Sequence, residues 1–199
     1  MAQTDKGTPI MTVQTLRARL TRDDVARLAD QRDPEARALA ARKVCARFAA
    51  DGLSESERAL GAEIVRVLAA DAAELVRRAL SVTLQRSAHL PNDVAKALAA
   101  DIESIALPVI AGSPVLDDED LIEIVRGGDA RRQTAVAGRE KVSSAVVGVI
   151  ADIGADEAVA TAAGNDGAEF DAGCYTKTFE RFAERPDIRI LRDPFTNRP

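Results

Sequence analysis

Apolar residues in this chain recur at spacings of three and four, in short bursts divided by acids, prolines and glycines. That spacing gathers side chains on one face of an α-helix. The stretch Leu116 to Asp129 shows the pattern most fully. Asp117 can cap a helix by accepting a bond from a free first-turn N–H, and Leu116 and Leu121 are spaced as a hydrophobic staple around it. Asp118, Glu119 and Asp120 place negative charge at the positive end of the helix dipole. Leu121, Ile124 and Val125 form the apolar face, and Gly127 or Gly128 can take a left-handed stop conformation before Asp129 caps the next helix.

The same grammar predicts helices elsewhere. Residues 1–12 are polar and read as a disordered tail, followed by short pieces around Val13, Leu16 and Leu20, then Val25 and Leu28. Asp33-Pro34 opens a helix with Ala41, Val44, Cys45 and Phe48 on its face, stopped by Gly52. Ser54 to Glu57 is a capping box, and Leu60, Ile64, Val67 and Leu68 form the expected buried stripe of the helix that follows. Asp71 leads Leu75, Val76, Ala79 and Thr83, and Leu90-Pro91 leads Val94, Ala97, Leu98 and Ile102. Pro108 and Gly112-Ser113-Pro114 predict a bend or a very short helix over 105–111. Beyond the central stretch, helices are expected from Asp129, from Val142-Ser143, over 156–163 and from Phe170-Asp171. No run alternates with period two long enough for a sheet, so the chain is expected to be all-α. One helical domain spans 13–185, with 13–112 and 113–185 as its sub-bundles, and 186–199 is a C-terminal tail.

Leu90-Pro91, Val142-Ser143 and Phe170-Asp171 open helices alike, which points to repeated helix pairs of irregular period. Asp33 to Arg37, Glu74 to Arg78 and Asp129 to Arg132 look like the acid-then-arginine signature of short HEAT-like repeats, in which the arginine meets a carboxylate at a neighbouring helix start. Leu53 to Leu60, Val76 to Leu80, Leu90-Pro91 and above all Ser113 to Ile122 resemble the bacterial family called domain of unknown function 2336, over roughly Leu20 to Phe182. The resemblance implies stacked antiparallel helix pairs in a HEAT-like superhelix. It supplies no catalytic residues.

Composition narrows the chemistry. Aromatics are 3% and Trp is absent, so helices pack through small aliphatics, and a net charge of -5 argues against a protein built to neutralise phosphates. Cys45 and Cys174 lack metal-ligand spacing and read as buried thiols of a reducing cytoplasm. No stretch reaches the roughly 20 apolar residues of a membrane span. His89 is the one histidine and falls in a turn, without a nucleophile context. Asp117 to Asp120 run straight into a helix, unlike a calcium loop, and the glycine pairs lack a phosphate-loop context. No cofactor, metal or catalytic constellation is expected.

The expectation is therefore a non-enzymatic, cytoplasmic interaction or scaffold module with an unidentified protein partner. Tyr175, Phe179 and Phe182 share one helical face and are the candidate interaction surface, either as the cap of the core or as the seat of a homodimer. The alternative is a HEAT-like nucleic-acid binder or base-processing enzyme with a groove of Arg77, Arg78, Arg131 and Arg132, although pairing of these bases with neighbouring acids is favoured. A signalling adaptor is a further alternative, for which only His89 speaks.

Overall fold

A computed structural model of the chain describes residues 22–30 and 32–182. The side chains of Arg22, Val25, Phe179 and Phe182 are outside it, as are both expected tails and the piece from Val13 to Leu20. Among the described residues there are helices and no strand, so the chain is all-α. Two compact units meet at Leu80 and Ser81. The 112/113 junction lies inside the second.

The first unit contains α1 (Arg22–Ala29), α2 (Pro34–Ala49), α3 (Glu55–Ala69) and the opening of α4 (Glu74–Leu84). Asp33 accepts the Ala36 N–H at 2.8 Å and Pro34 follows it, so α2 starts where its own missing donor costs nothing. Ser54 and Glu57 make the capping box of α3, and Gly52 takes a left-handed φ of 83° in the turn between α2 and α3. Val44, Cys45 and Phe48 of α2 and Val65 and Leu68 of α3 are buried, and α1 and α3 both pack on α2; of the stripe expected on α3 only Leu68 is buried, because the helix turns Gly61 and Val65 inward and leaves Leu60 and Val67 exposed. Asp71 does not cap α4 directly, because the helix begins at Glu74 and Asp71 accepts the Ala73 N–H at 2.8 Å in the preceding turn.

In the second unit α5 (Asn92–Ala99) pairs with α6 (Glu103–Gly112), α7 (Asp118–Gly127) with α8 (Ala130–Ala137), and α9 (Ser144–Ile153) with α10 (Asp156–Ala163), before α11 (Ala172–Phe182). Short turns make the members of each pair run in opposing directions. Helices α6, α8 and α10 pack in one row and α7, α9 and α11 in another. The period, expected to be irregular, is regular here: α5, α7 and α9 begin at Asn92, Asp118 and Ser144, 26 residues apart each time. Equivalent positions are buried alike, as with Leu90, Leu116 and Val142. Gln133 ties successive pairs together, donating to the Val125 carbonyl at 2.9 Å and accepting the Ala155 N–H at 2.7 Å.

Three expectations are corrected in this unit. The helix at Leu90-Pro91 ends at Ala99, so Ala97 is exposed and Ile102 leaves its apolar face to precede α6, 47% exposed. Helix α6 runs through Pro108, losing only the donor that proline lacks, and begins two residues ahead of Ile105 because the Ile102 carbonyl accepts from Ile105 and Ala106. No left-handed stop ends α7: Gly128 is extended, at φ -88° and ψ 158°. It must be glycine because a Cβ there would lie 2.4 Å from the Ile124 carbonyl oxygen. One period later Gly154 meets the Ile150 carbonyl in the same way, at 2.5 Å.

Candidate functional site

The last carbonyls of a helix have no partner within it, and a guanidinium offers five donors in a fixed fork that can hold two of them. Among the described residues several arginines fill that role or close the turn that follows a helix. In the first unit Arg37 donates to the Asp30 carbonyl at 3.0 Å while holding the Asp71 carboxylate at 3.2 and 3.0 Å. Arg58 reaches the Phe48 and Ala50 carbonyls at 3.0 and 3.4 Å, and Arg77 those of Asp71 and Ala72 at 2.8 and 3.2 Å. In the second unit Arg132 donates to the Asp101 carbonyl at 2.5 Å, and Arg139 to the carbonyls of Ile110 and, at 2.7 Å, Ser113. Arg181 closes α9 through the Ala151 and Gly154 carbonyls at 3.3 and 2.6 Å and pairs with Asp156 at 3.0 Å.

The four arginines of the expected groove are thus placed as follows. Arg77 and Arg78 belong to the first unit, where Arg77 closes the turn after α3 and Arg78 is exposed on α4. Arg131 and Arg132 belong to the second. Arg131 pairs with Glu103 at the start of α6, and that bond and charge raise its pKa. Arg132 is half-buried on the Asp101 carbonyl. Of the aromatic set, Tyr175 is half-buried on α11, which packs on α9. Phe179 and Phe182 have side chains outside the described residues. His89 is half-buried in the turn after α4. Cys45 is fully buried, which pushes its thiol up to about 12, and burial also raises Cys174.

A polar cluster that sequence reasoning missed lies between α5 and α7. Asp120 is 4% exposed at the repeat position held by Val94 and Val146, one period to either side, both buried. Its carboxylate pairs with Lys96, accepts from Asn92 Nδ2 at 2.8 Å and closes the capping box on the Asp117 N–H at 3.3 Å. A buried acid in an aliphatic slot costs desolvation unless such bonds compensate it. Burial alone would raise its pKa, but the bonds from Lys96, Asn92 and Asp117 outweigh burial and hold the carboxyl below its ordinary value. The pair raises Lys96 in return. The cluster borders a cleft of about 330 Å³ lined also by Ala99, Ala100, Leu116, Glu123, Ile124, Gly127, Gly128 and Arg132.

A carboxyl with a depressed folded-state pKa stabilises the fold above its unfolded value of about 3.9, and that contribution fades as pH falls through the folded value. The wild type should therefore lose more stability on acidification below about pH 4 than Asp120→Asn does. Urea unfolding at a series of pH values checks this. Equal acid sensitivity in the two proteins would remove Asp120 from the acid response.

Residues 105–196 match the family model of an uncharacterised protein conserved in bacteria (DUF2336). Over those residues the chain is similar to the DUF2336 family. Its matched range takes in α6 from its third residue, all of α7 to α11 and the cleft residues Leu116 to Arg132. The motifs Leu53 to Leu60 and Val76 to Leu80 precede the DUF2336 match. No curated protein and no solved structure matches the chain. Among the described residues no group of three His, Cys, Asp or Glu side chains is placed to hold a metal ion, and no helix is long and apolar enough to cross a membrane.

Proposed function

We propose that this chain is a non-enzymatic, cytoplasmic helical-repeat module that binds a protein partner as a scaffold. One observation carries the reading: three of the four arginines with which the sequence could meet a charged ligand, Arg77, Arg131 and Arg132, are engaged on main-chain carbonyls and a neighbouring acid, while large aliphatic side chains stand in solvent. On α3 Val67 is 73% exposed, and in the second unit Ile102 and Ile153 are 47% and 52% exposed. Exposed aliphatics on a stacked-helix scaffold favour association with protein. The acidic balance disfavours nucleic acid, which needs counterion release by clustered bases.

Affinity capture from native bacterial lysate with mass spectrometry tests the reading. The tagged wild type is expected to retain a defined protein in stoichiometric amount, and to show no submicromolar binding to duplex DNA by fluorescence anisotropy. Tight DNA binding that weakens steeply with added salt, with no protein retained, would replace this function with the nucleic-acid alternative.

A further inference from the structure

We propose that the cleft lined by the ends of α4, α6 and α8 and the turns that follow them binds a small phosphate monoester, held by Arg86, Arg139 and Lys141. The 26-residue period places Arg86, Gly112 and Gly138 at equivalent positions of these three ends, all within the second unit. One period further on the stack is closed. Asn165 donates to the carbonyls of Ala137 and Arg139, both at 2.8 Å, and Val142 exchanges backbone bonds with Gly167 and Glu169 at 3.0 and 2.8 Å. The turns there are so near that a Cβ on Gly167 would lie 1.9 Å from the Glu140 carbonyl oxygen. Between the turns after α6 and α8 the equivalents of Asn165 and Gly167 are Arg139 and Lys141, whose side chains need the room that a closed turn lacks. Among the described residues no backbone–backbone hydrogen bond joins these two turns. What remains is a cleft of about 790 Å³, a size usual for small-molecule sites.

The charged lining of the cleft is Arg86, Arg139 and Lys141 against Glu140 alone. Elsewhere in this acidic chain several bases meet carboxylates, as Arg37 meets Asp71, Lys96 meets Asp120 and Arg181 meets Asp156. The three in the cleft do not. Arg86 and Lys141 are exposed, and neither side chain has a hydrogen bond or ion pair among the described residues. Arg139 spends its two terminal nitrogens on the neutral carbonyls of Ile110 and Ser113, which satisfies the end of α6 without neutralising the cation, and its Nε is buried with no partner. Burial lowers the Arg139 pKa, and the unbonded charge of Asp118 counters that only in part, so an anion in the cleft relieves a desolvated charge. A phosphate monoester brings about two negative charges at neutral pH and three acceptor oxygens. Three bases less one acid leave a matching surplus of two. Arginine and lysine both serve as phosphate ligands, the first as a fork and the second as a point charge. The net charge of -5 opposes a polyanion spread over the surface, not one small anion in this cleft.

The test is isothermal titration calorimetry of the full chain at constant ionic strength, with phenyl phosphate as the monoester and dimethyl phosphate as a diester of single charge. Phenyl phosphate should bind at one site per chain, and dimethyl phosphate at least about tenfold more weakly. Arg86→Ala and Lys141→Ala change exposed side chains that the fold does not use, so each should keep the thermal midpoint. Each should also weaken phenyl phosphate about tenfold, because a hydrogen bond between charged groups is lost. Arg139 stays in place, since it also holds the end of α6. Glu140→Gln should tighten binding severalfold by removing the like charge, whereas Lys177→Ala on α11, away from the cleft, should leave it unchanged. No saturable binding of phenyl phosphate, a diester bound as tightly as the monoester, or undiminished binding to Arg86→Ala and Lys141→Ala overturns the proposal. Weaker binding to Glu140→Gln, or an equal loss in Lys177→Ala, overturns it too.

Discussion

Replacing Arg139 by alanine is expected to destabilise the second unit by about 2–4 kcal/mol, because it strips the partner from two carbonyls in one step and each unpaired group costs about 1–3 kcal/mol. Arg139 is half-buried just after α8, and its fork reaches back to the carbonyls of Ile110 and Ser113 at the end of α6. Burial lowers its pKa below the usual arginine value, partly countered by Asp118, so the charge is kept in a desolvated place by these bonds. A lysine has the charge without the fork. Arg139→Lys should accordingly recover less than half of the loss. Urea unfolding of the three proteins is the check, and an alanine variant as stable as wild type would mean that the arginine bonds contribute nothing.

In the first unit the largest effect is expected at Phe48. Its side chain is 2% exposed, and the α3 backbone comes so near its ring that a Cβ on Gly61 would lie 2.6 Å from Cδ2. Arg58 stands 5.8 Å from the ring centroid and also holds the Phe48 carbonyl, so ring and helix end are fixed together. Phe48→Ala should cost about 3–5 kcal/mol by the cavity it leaves. The same contact predicts coupling between the two positions. Gly61→Ala should destabilise the wild type by overpacking and be tolerated in Phe48→Ala, where the ring is gone. Additive effects across this cycle would mean that α2 and α3 do not meet through these residues.

Which of these features could be read from the sequence depends on range. Caps and staples are local, so Asp33-Pro34, Ser54 with Glu57, Asp117 and Ser143 each open the helix that their spacing predicts. The all-α class follows from them. Glycine was the harder residue, because its spacing says that a side chain is missing and not why. Gly52 is in the left-handed region, Gly128 and Gly154 make room for a carbonyl, and Gly127 does neither. The 26-residue period is present in Gly112, Gly138 and Gly164, and again in Gly128 and Gly154.

The arginines show where local reasoning stops. An arginine beside an acid in sequence suggests an ion pair, and Arg131 with Glu103 and Arg37 with Asp71 are such pairs across helices. Yet Arg132, Arg139 and Arg181 choose main-chain carbonyls that lie 31, 29 and 30 residues earlier. That choice depends on which helix end the stack brings near, and composition carries no trace of it. The buried carboxylate of Asp120 is similar, since only the alignment of its position with Val94 and Val146 reveals an acid in an aliphatic row.

Stacked repeats of fixed length make one further demand, because units that contact only their neighbours can be removed whole. Deleting residues 117–142, one period, joins Leu116 to Ser143 and puts Leu116 where Val142 stood, ahead of the same helix. Far-ultraviolet circular dichroism during thermal unfolding should then show a helical protein with a cooperative transition, whereas deleting 117–129, half a period, should abolish it. Loss of the transition in the full-period deletion, or its survival in the half-period one, would contradict the 26-residue stack.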